Sequence, residues 1–228
     1  MGLQEWCLVA TIGLVLFLDA WPVGQTMLSR PIVVGPLAGL ALGASGEGVF
    51  WGAVFEAVYL TVLPVGAARY PDAGLATLVG TAVAARGGGT EVAGYLVAVA
   101  VGAGALGERA SRLQRRWNGR TAARARRRVE AGELGAPGRA VLTALVRASF
   151  VGVAVSMLAV GLAIAGLSLV DDTVWSGAVS REGLRLAAFA AIAVGGGRLF
   201  LDRRSGRLAW AAGLIGATGL VWWGFPPT

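Results

Sequence analysis

Seven apolar segments, at residues 8–18, 32–45, 48–68, 74–107, 141–170, 184–201 and 208–224, leave this chain too little polar sequence to cover a water-exposed surface. Only 14% of its 228 residues are charged, against about 25% in an ordinary soluble domain. Much of the surface must therefore face lipid. At about 20 residues per full span, the length accommodates roughly six to eight spanning or half-spanning helices. The expected fold is one all-α, polytopic membrane domain over residues 1–228.

The apolar segments are unequal, and the irregular ones sit near the N-terminus. Arg30-Pro31, Gly35-Pro36 and Pro64-Val65-Gly66 each interrupt an apolar run within 35 residues. Proline removes a backbone donor and glycine loosens a helix. Irregular backbone at membrane depth is tolerated only where it is buried in protein or lines water. Short, interrupted segments of this kind predict broken or re-entrant helices around a transport site. An ordinary kinked helix bundle would carry the same breakers. Gly35, Gly39, Gly43, Gly46, Gly48 and Gly52 would also serve close helix packing with no further role.

Polar side chains concentrate in the same region: Asp19, Gln25, Arg30, Glu56 and Asp72. An ionisable group near the bilayer centre costs at least about 2.5–3.5 kcal/mol. Such groups persist where they pair, line a cavity or touch substrate. Asp19 could pair with Arg30, and Glu56 with an arginine. Taken together, the five residues point to a polar substrate path.

The segment from Glu108 to Arg139 holds ten of the twenty arginines, among them Arg126-Arg127-Arg128. Short arginine-rich connections stay on the cytoplasmic side. Residues 108–140 are thus expected to form a cytoplasmic loop, in contact with anionic lipid headgroups. It would separate a motif-bearing half, 1–107, from C-terminal helices over 141–228. A nucleic-acid patch would call for interleaved aromatics, and Trp117 stands alone there; no nucleic-acid partner is expected. Trp6, Trp21, Trp210, Trp222 and Trp223 fall near segment ends, where tryptophan anchors helices at the membrane interface.

Absences narrow the chemistry further. All basic residues are arginine and histidine is missing altogether. Imidazole base catalysis, histidine metal ligation and a phosphohistidine carrier are excluded. No catalytic residues, metal site or cofactor are expected. Cys7 lies in an apolar run and reads as a packing residue. The N-terminus lacks a basic region and its first apolar run leads into Asp19, so residues 8–18 are expected to be a retained helix and not a cleaved signal.

Four motifs then coincide in order and spacing. The first runs from Leu18-Asp19 through Gln25 to Ser29-Arg30-Pro31, Gly35-Pro36-Leu37 and Gly39-Leu40. Gly52-Ala53-Val54-Phe55-Glu56, Val65-Gly66-Ala67-Ala68 and Pro71-Asp72-Ala73 follow. This stretch resembles the opening of the mannose/fructose/sorbose-family IIC subunits of the phosphoenolpyruvate-dependent sugar phosphotransferase system (PTS). Ala44 follows Gly43 where the family commonly has an acidic residue, and Leu142–Trp223 carries no sharp motif.

The resemblance implies a multi-pass subunit of a bacterial inner membrane transporter. It would assemble with a IID membrane subunit into a hetero-oligomer and work with IIA and IIB phosphocarriers. A hexose would be phosphorylated as it is released inside, with the phosphoryl-transfer residues on other subunits. Glu56 and Asp72 would accept hydrogen bonds from sugar hydroxyls, with Gln25 and Asp19 supporting and Arg30 orienting a carboxylate or capping a broken helix. The rival readings are a diverged regulatory or scaffold membrane protein and, from another class, a lipid-acting membrane enzyme. The latter would use Asp19, Glu56 and Asp72 as carboxylates, but they lack close metal-ligand spacing.

Overall fold

A computed structural model describes residues 1–20, 23, 26–60, 70–87 and 92–168. These form six α-helices and no strand among the described residues: α1 (Leu3–Ala20), α2 (Pro31–Ala41), α3 (Ser45–Tyr59), α4 (Ala73–Gly87), α5 (Ala93–Glu130) and α6 (Ala136–Leu167). The apolar segments expected at 184–201 and 208–224 lie outside the described residues.

Two helices, Leu3–Ala20 and Ala136–Leu167, are long and apolar enough to cross a membrane among the described residues. They run antiparallel against each other and touch through bare backbone. A Cβ on Gly152 would lie 2.7 Å from the Gly13 carbonyl oxygen and 2.7 Å from Phe17 Cβ. Small residues at a crossing let two backbones approach, which substitutes for the hydrophobic drive that lipid does not supply.

α2 and α3 form a tight antiparallel hairpin. Pro31 opens α2 at its first turn, where a missing N–H costs nothing. Gly43 closes it with φ +71°, and the Gly43 and Ala44 amides donate to the Leu40 and Gly39 carbonyls at 3.3 and 2.7 Å. This is a Schellman cap, which requires the left-handed conformation that glycine adopts freely. Within the hairpin Gly35 and Gly39 face Gly48 and Gly52, and a Cβ on Gly39 would sit 2.8 Å from Gly48 Cα. At 1.5 Å per residue the two helices measure about 16 and 22 Å, short of the roughly 30 Å hydrocarbon layer. Residues 61–69, where the break at Pro64-Val65-Gly66 is expected, lie outside the described residues. The interruption expected at Gly35-Pro36 is not present, because α2 continues through Pro36. Part of the cost of a proline inside a helix is its clash with the Cβ of the preceding residue, and here that residue is glycine.

α4 packs against every other helix, and its residues Gly74 to Ala84 are all buried. Its apolar character is not one-sided, as befits a helix surrounded by protein. Around it the core is built from Val34, Phe55, Leu75, Leu78, Val79 and Leu96, each no more than 3% exposed.

The arginine-rich segment differs from expectation. Residues 108–140 do not form a loop: α5 runs unbroken to Glu130, and a short turn leads into α6 at Ala136. Alanine, arginine, glutamine and leucine all favour helix, and Glu108–Arg112 and Arg126–Glu130 add i,i+4 ion pairs at 3.2 and 3.1 Å. Polarity here sets exposure, not coil. Arg109, Arg112, Arg116, Arg120, Arg124 and Arg127 recur every three or four residues along one face. The Gly132 turn (φ +94°) is a second Schellman cap. Arg147 of α6 lies over the Trp117 ring, 5.7 Å from its centroid, clasping the two helices together where α5 leaves the apolar core.

Candidate functional site

Three carboxylates anchor the backbone around one cavity, each in a different way. Asp19, in the last turn of α1, is 5% exposed. Its Oδ1 accepts from the Thr26 amide at 2.7 Å and the Thr26 hydroxyl at 2.6 Å. Its Oδ2 accepts from the Ser29 amide at 2.9 Å. Both oxygens are therefore committed to tying the connection after α1 back onto that helix. Asp19 does not pair with Arg30.

Arg30 pairs with Glu56, so of the two pairings open in the sequence the structure contains the one between α2 and α3. The second Glu56 oxygen accepts the Ile32 amide at 3.2 Å. Glu56 thus compensates an otherwise orphaned donor and the positive end of the α2 dipole from a neighbouring helix.

Asp72 caps α4. Its Oδ1 accepts the Leu75 amide at 2.9 Å, the usual N-cap bond to the third helical residue. Its own amide donates to the Gly104 carbonyl of α5 at 2.9 Å. α5 is notched to receive it: a Cβ on Gly107 would meet Asp72 Cβ at 2.5 Å. The Pro71-Asp72 corner consequently lies in the groove that Gly104 and Gly107 leave open.

These anchors surround a cavity of about 110 Å³, well above the roughly 10–15 Å³ that one water needs. It sits at the end of the bundle where α5 emerges from the apolar core. Arg30 and Asp72 line it, as do Tyr59, Glu108, Ser111 and Arg115. Glu56 is not part of the lining and reaches it through Arg30. Asp19 stands behind the Ser29 wall. Gln25 lies outside the described residues.

Sequence reasoning missed Tyr59, Glu108, Ser111 and Arg115. Tyr59 lies one helical turn beyond Glu56, and that spacing on a helix was the available signal. Glu108, Ser111 and Arg115 follow the i, i+3, i+7 pattern of one helix face, hidden inside a segment whose arginine content suggested a loop.

A family model described as the PTS system sorbose-specific IIC component matches residues 4–164, more than half of the chain. A putative N-acetylgalactosamine permease IIC component 2 of Escherichia coli (strain K12) is 41% identical over 61 residues, which is 27% of this chain and 46% of that protein. The match thus spans less than half the length of that relative. A solved structure of a membrane protein shares the fold with a TM-score of 0.72 at 20% identity, covering 100% of this chain and 89% of that one. A cryo-EM structure of the mannose transporter ManYZ with microcin E492 (MceA) gives 0.63 at 21% identity, with the same coverage.

Proposed function

Because the chain belongs to the PTS sorbose-specific IIC family, we propose that it is the membrane subunit through which a hexose crosses a bacterial inner membrane. Its partners are a IID membrane subunit in a hetero-oligomer, and IIA and IIB phosphocarriers that phosphorylate the sugar as it is released. The arginine-bearing end of the bundle faces the cytoplasm, following the usual bias of basic residues. The observation that carries the reading is the cavity itself: Arg30 and Asp72 bring opposite charges to one small, mainly apolar space at the end of the bundle.

In this reading Asp72 contacts the sugar. A carboxylate accepts several hydroxyl hydrogen bonds. Glu56 holds Arg30 in the wall and Asp19 shapes the connection beside it, while Gln25 supplies a supporting amide. The chain performs no bond-making step, and phosphoryl transfer belongs to the other subunits.

The test is co-expression with the IID partner, purification of the complex and binding of a panel of radiolabelled hexoses. Asp72→Asn is the informative variant, since asparagine keeps an oxygen that can cap α4 and removes only the charge. Saturable binding of one hexose, weakened at least tenfold by Asp72→Asn with thermal stability retained, supports the assignment. Binding unchanged in the variant removes Asp72 from the site. A stable complex that binds no hexose refutes the transport reading.

A further inference from the structure

Two uncharged hydroxyl residues, Tyr59 and Ser111, stand in the cavity wall. Tyr59 is 8% exposed and Ser111 is 5% exposed, and both line the cavity. Neither hydroxyl has a hydrogen-bond partner among the described residues. A hydroxyl shut away without a partner is unfavourable, so a hydroxyl that faces a cavity is suited to a partner held there. The Tyr95 hydroxyl donates to the Ala163 carbonyl at 2.6 Å, and the Thr77 hydroxyl to Ala73 at 2.7 Å. Thr81 and Ser156 are buried and unpaired among the described residues, and neither belongs to this cavity wall.

The position of Tyr59 is built, not incidental. Gly104 gives it room: a Cβ there would lie 3.3 Å from the Tyr59 hydroxyl and 3.4 Å from the Asp72 carbonyl oxygen. The same glycine thus holds the phenol head and the Asp72 corner side by side. Ser111 comes from the facing helix, one turn beyond Gly107, where Asp72 packs. The three polar residues Tyr59, Asp72 and Ser111 belong to three different helices or their caps, and they converge on one space.

Charge decides what kind of ligand suits this space. Arg30 is matched by Glu56 and Arg112 by Glu108, and Asp72 and Arg115 share the lining in equal number. The signs balance, which favours a neutral molecule over an anion or a cation. A neutral molecule rich in adjacent hydroxyls satisfies two buried hydroxyls and a carboxylate at once, because each hydroxyl both donates and accepts.

We propose that Tyr59 and Ser111 hydrogen-bond adjacent hydroxyls of a neutral polyhydroxylated ligand in this cavity, beside Asp72. The inference rests on the hexose-transport reading and adds to it the residues that select sugar hydroxyls. It is tested on the complex with its IID partner, using radiolabelled hexoses and a set of monodeoxy analogues. Tyr59→Phe and Ser111→Ala each remove one hydroxyl and little else. Each is expected to weaken binding of the preferred hexose about three- to tenfold, the effect of one lost neutral hydrogen bond. Tyr95→Phe removes a distant hydroxyl and is expected to leave binding unchanged.

The deoxy set separates contact from general damage. If Tyr59 touches one sugar hydroxyl, the analogue lacking that hydroxyl binds wild type and Tyr59→Phe equally. A variant that weakens every analogue by the same factor acts on the fold and overturns the proposal, as does wild-type affinity in both variants. A wild-type complex that binds no hexose fells the transport reading and this inference with it. Hexose binding that survives both substitutions fells only this inference.

Discussion

Replacing Gly107 by alanine would probe how closely α5 is fitted to the cavity wall. The added Cβ would lie 2.5 Å from Asp72 Cβ and 3.0 Å from its Cγ and Oδ2, whereas carbon atoms rest about 3.5–4.0 Å apart. Asp72 has little freedom to step aside. Its amide is bonded to Gly104 and its Oδ1 to Leu75, both at 2.9 Å, and the helix it caps is buried along most of its length. Overpacking of this sort costs about 1–3 kcal/mol. Against it stands the better helix propensity of alanine, about 0.8–1.0 kcal/mol.

Gly102 supplies the reference. It lies in the same helix, and an added Cβ there meets nothing within 4 Å. Gly102→Ala is therefore expected to stabilise by about 0.8–1.0 kcal/mol. Gly107→Ala should fall below it by about 1–3 kcal/mol and weaken sugar binding by pushing Asp72 out of place. Denaturant titration in mixed micelles, followed by tryptophan fluorescence, measures the difference. Equal stabilities for the two variants would refute the close fit on which the site description depends.

Two further outcomes test the scaffold around the cavity. Glu56→Gln leaves Arg30 without its counter-charge; the two side chains are 17% and 31% exposed, so solvent screening holds the expected loss to about 1–2 kcal/mol. Adding Arg30→Met should recover part of that loss in a double-mutant cycle, and strictly additive effects in denaturant titrations would show that the pair is not coupled. In the α2–α3 hairpin, a Cβ on Gly48 would meet Gly39 Cα at 2.7 Å, while one on Gly46 meets nothing within 4 Å. Gly48→Ala is expected to destabilise by about 1–3 kcal/mol and Gly46→Ala to be tolerated, so equal thermal stability of the two would overturn the tight-hairpin description.

The helical membrane class was legible because it depends on composition, which no rearrangement of the chain alters. Pro31 and the glycines marked the start of α2 and a site of close helix packing because their backbone preferences are local, but not that α2 and α3 would pair as a hairpin. The sequence left Glu56 to pair with an unspecified arginine and offered Arg30 to Asp19; tertiary contact gave Arg30 to Glu56 instead. The fate of Asp19 was less legible. Its partners are two amides and a hydroxyl at Thr26 and Ser29, and backbone donors leave no trace in a residue pattern.

Tyr59 and Ser111 escaped for a related reason. A lone hydroxyl in an apolar run carries little insertion cost, so it draws no attention until its burial and missing partner are seen. The arginine-rich stretch was misread because charge density was allowed to outweigh helix propensity. Gln25 and the segments at 184–201 and 208–224 fall outside the described residues.

One consequence of α5 concerns mechanics. Ser111 in the cavity wall and Arg127 near the tip of the arm belong to one uninterrupted helix, separated by about 24 Å at 1.5 Å per residue. No proline, the usual source of a sharp kink, falls between them, so the two ends are joined by continuous helix, clasped to α6 at Trp117 and Arg147. Whatever grips the arginine face thereby holds a handle whose other end forms the wall of the cavity. A tilt imposed at Arg127 is delivered as a displacement at Ser111.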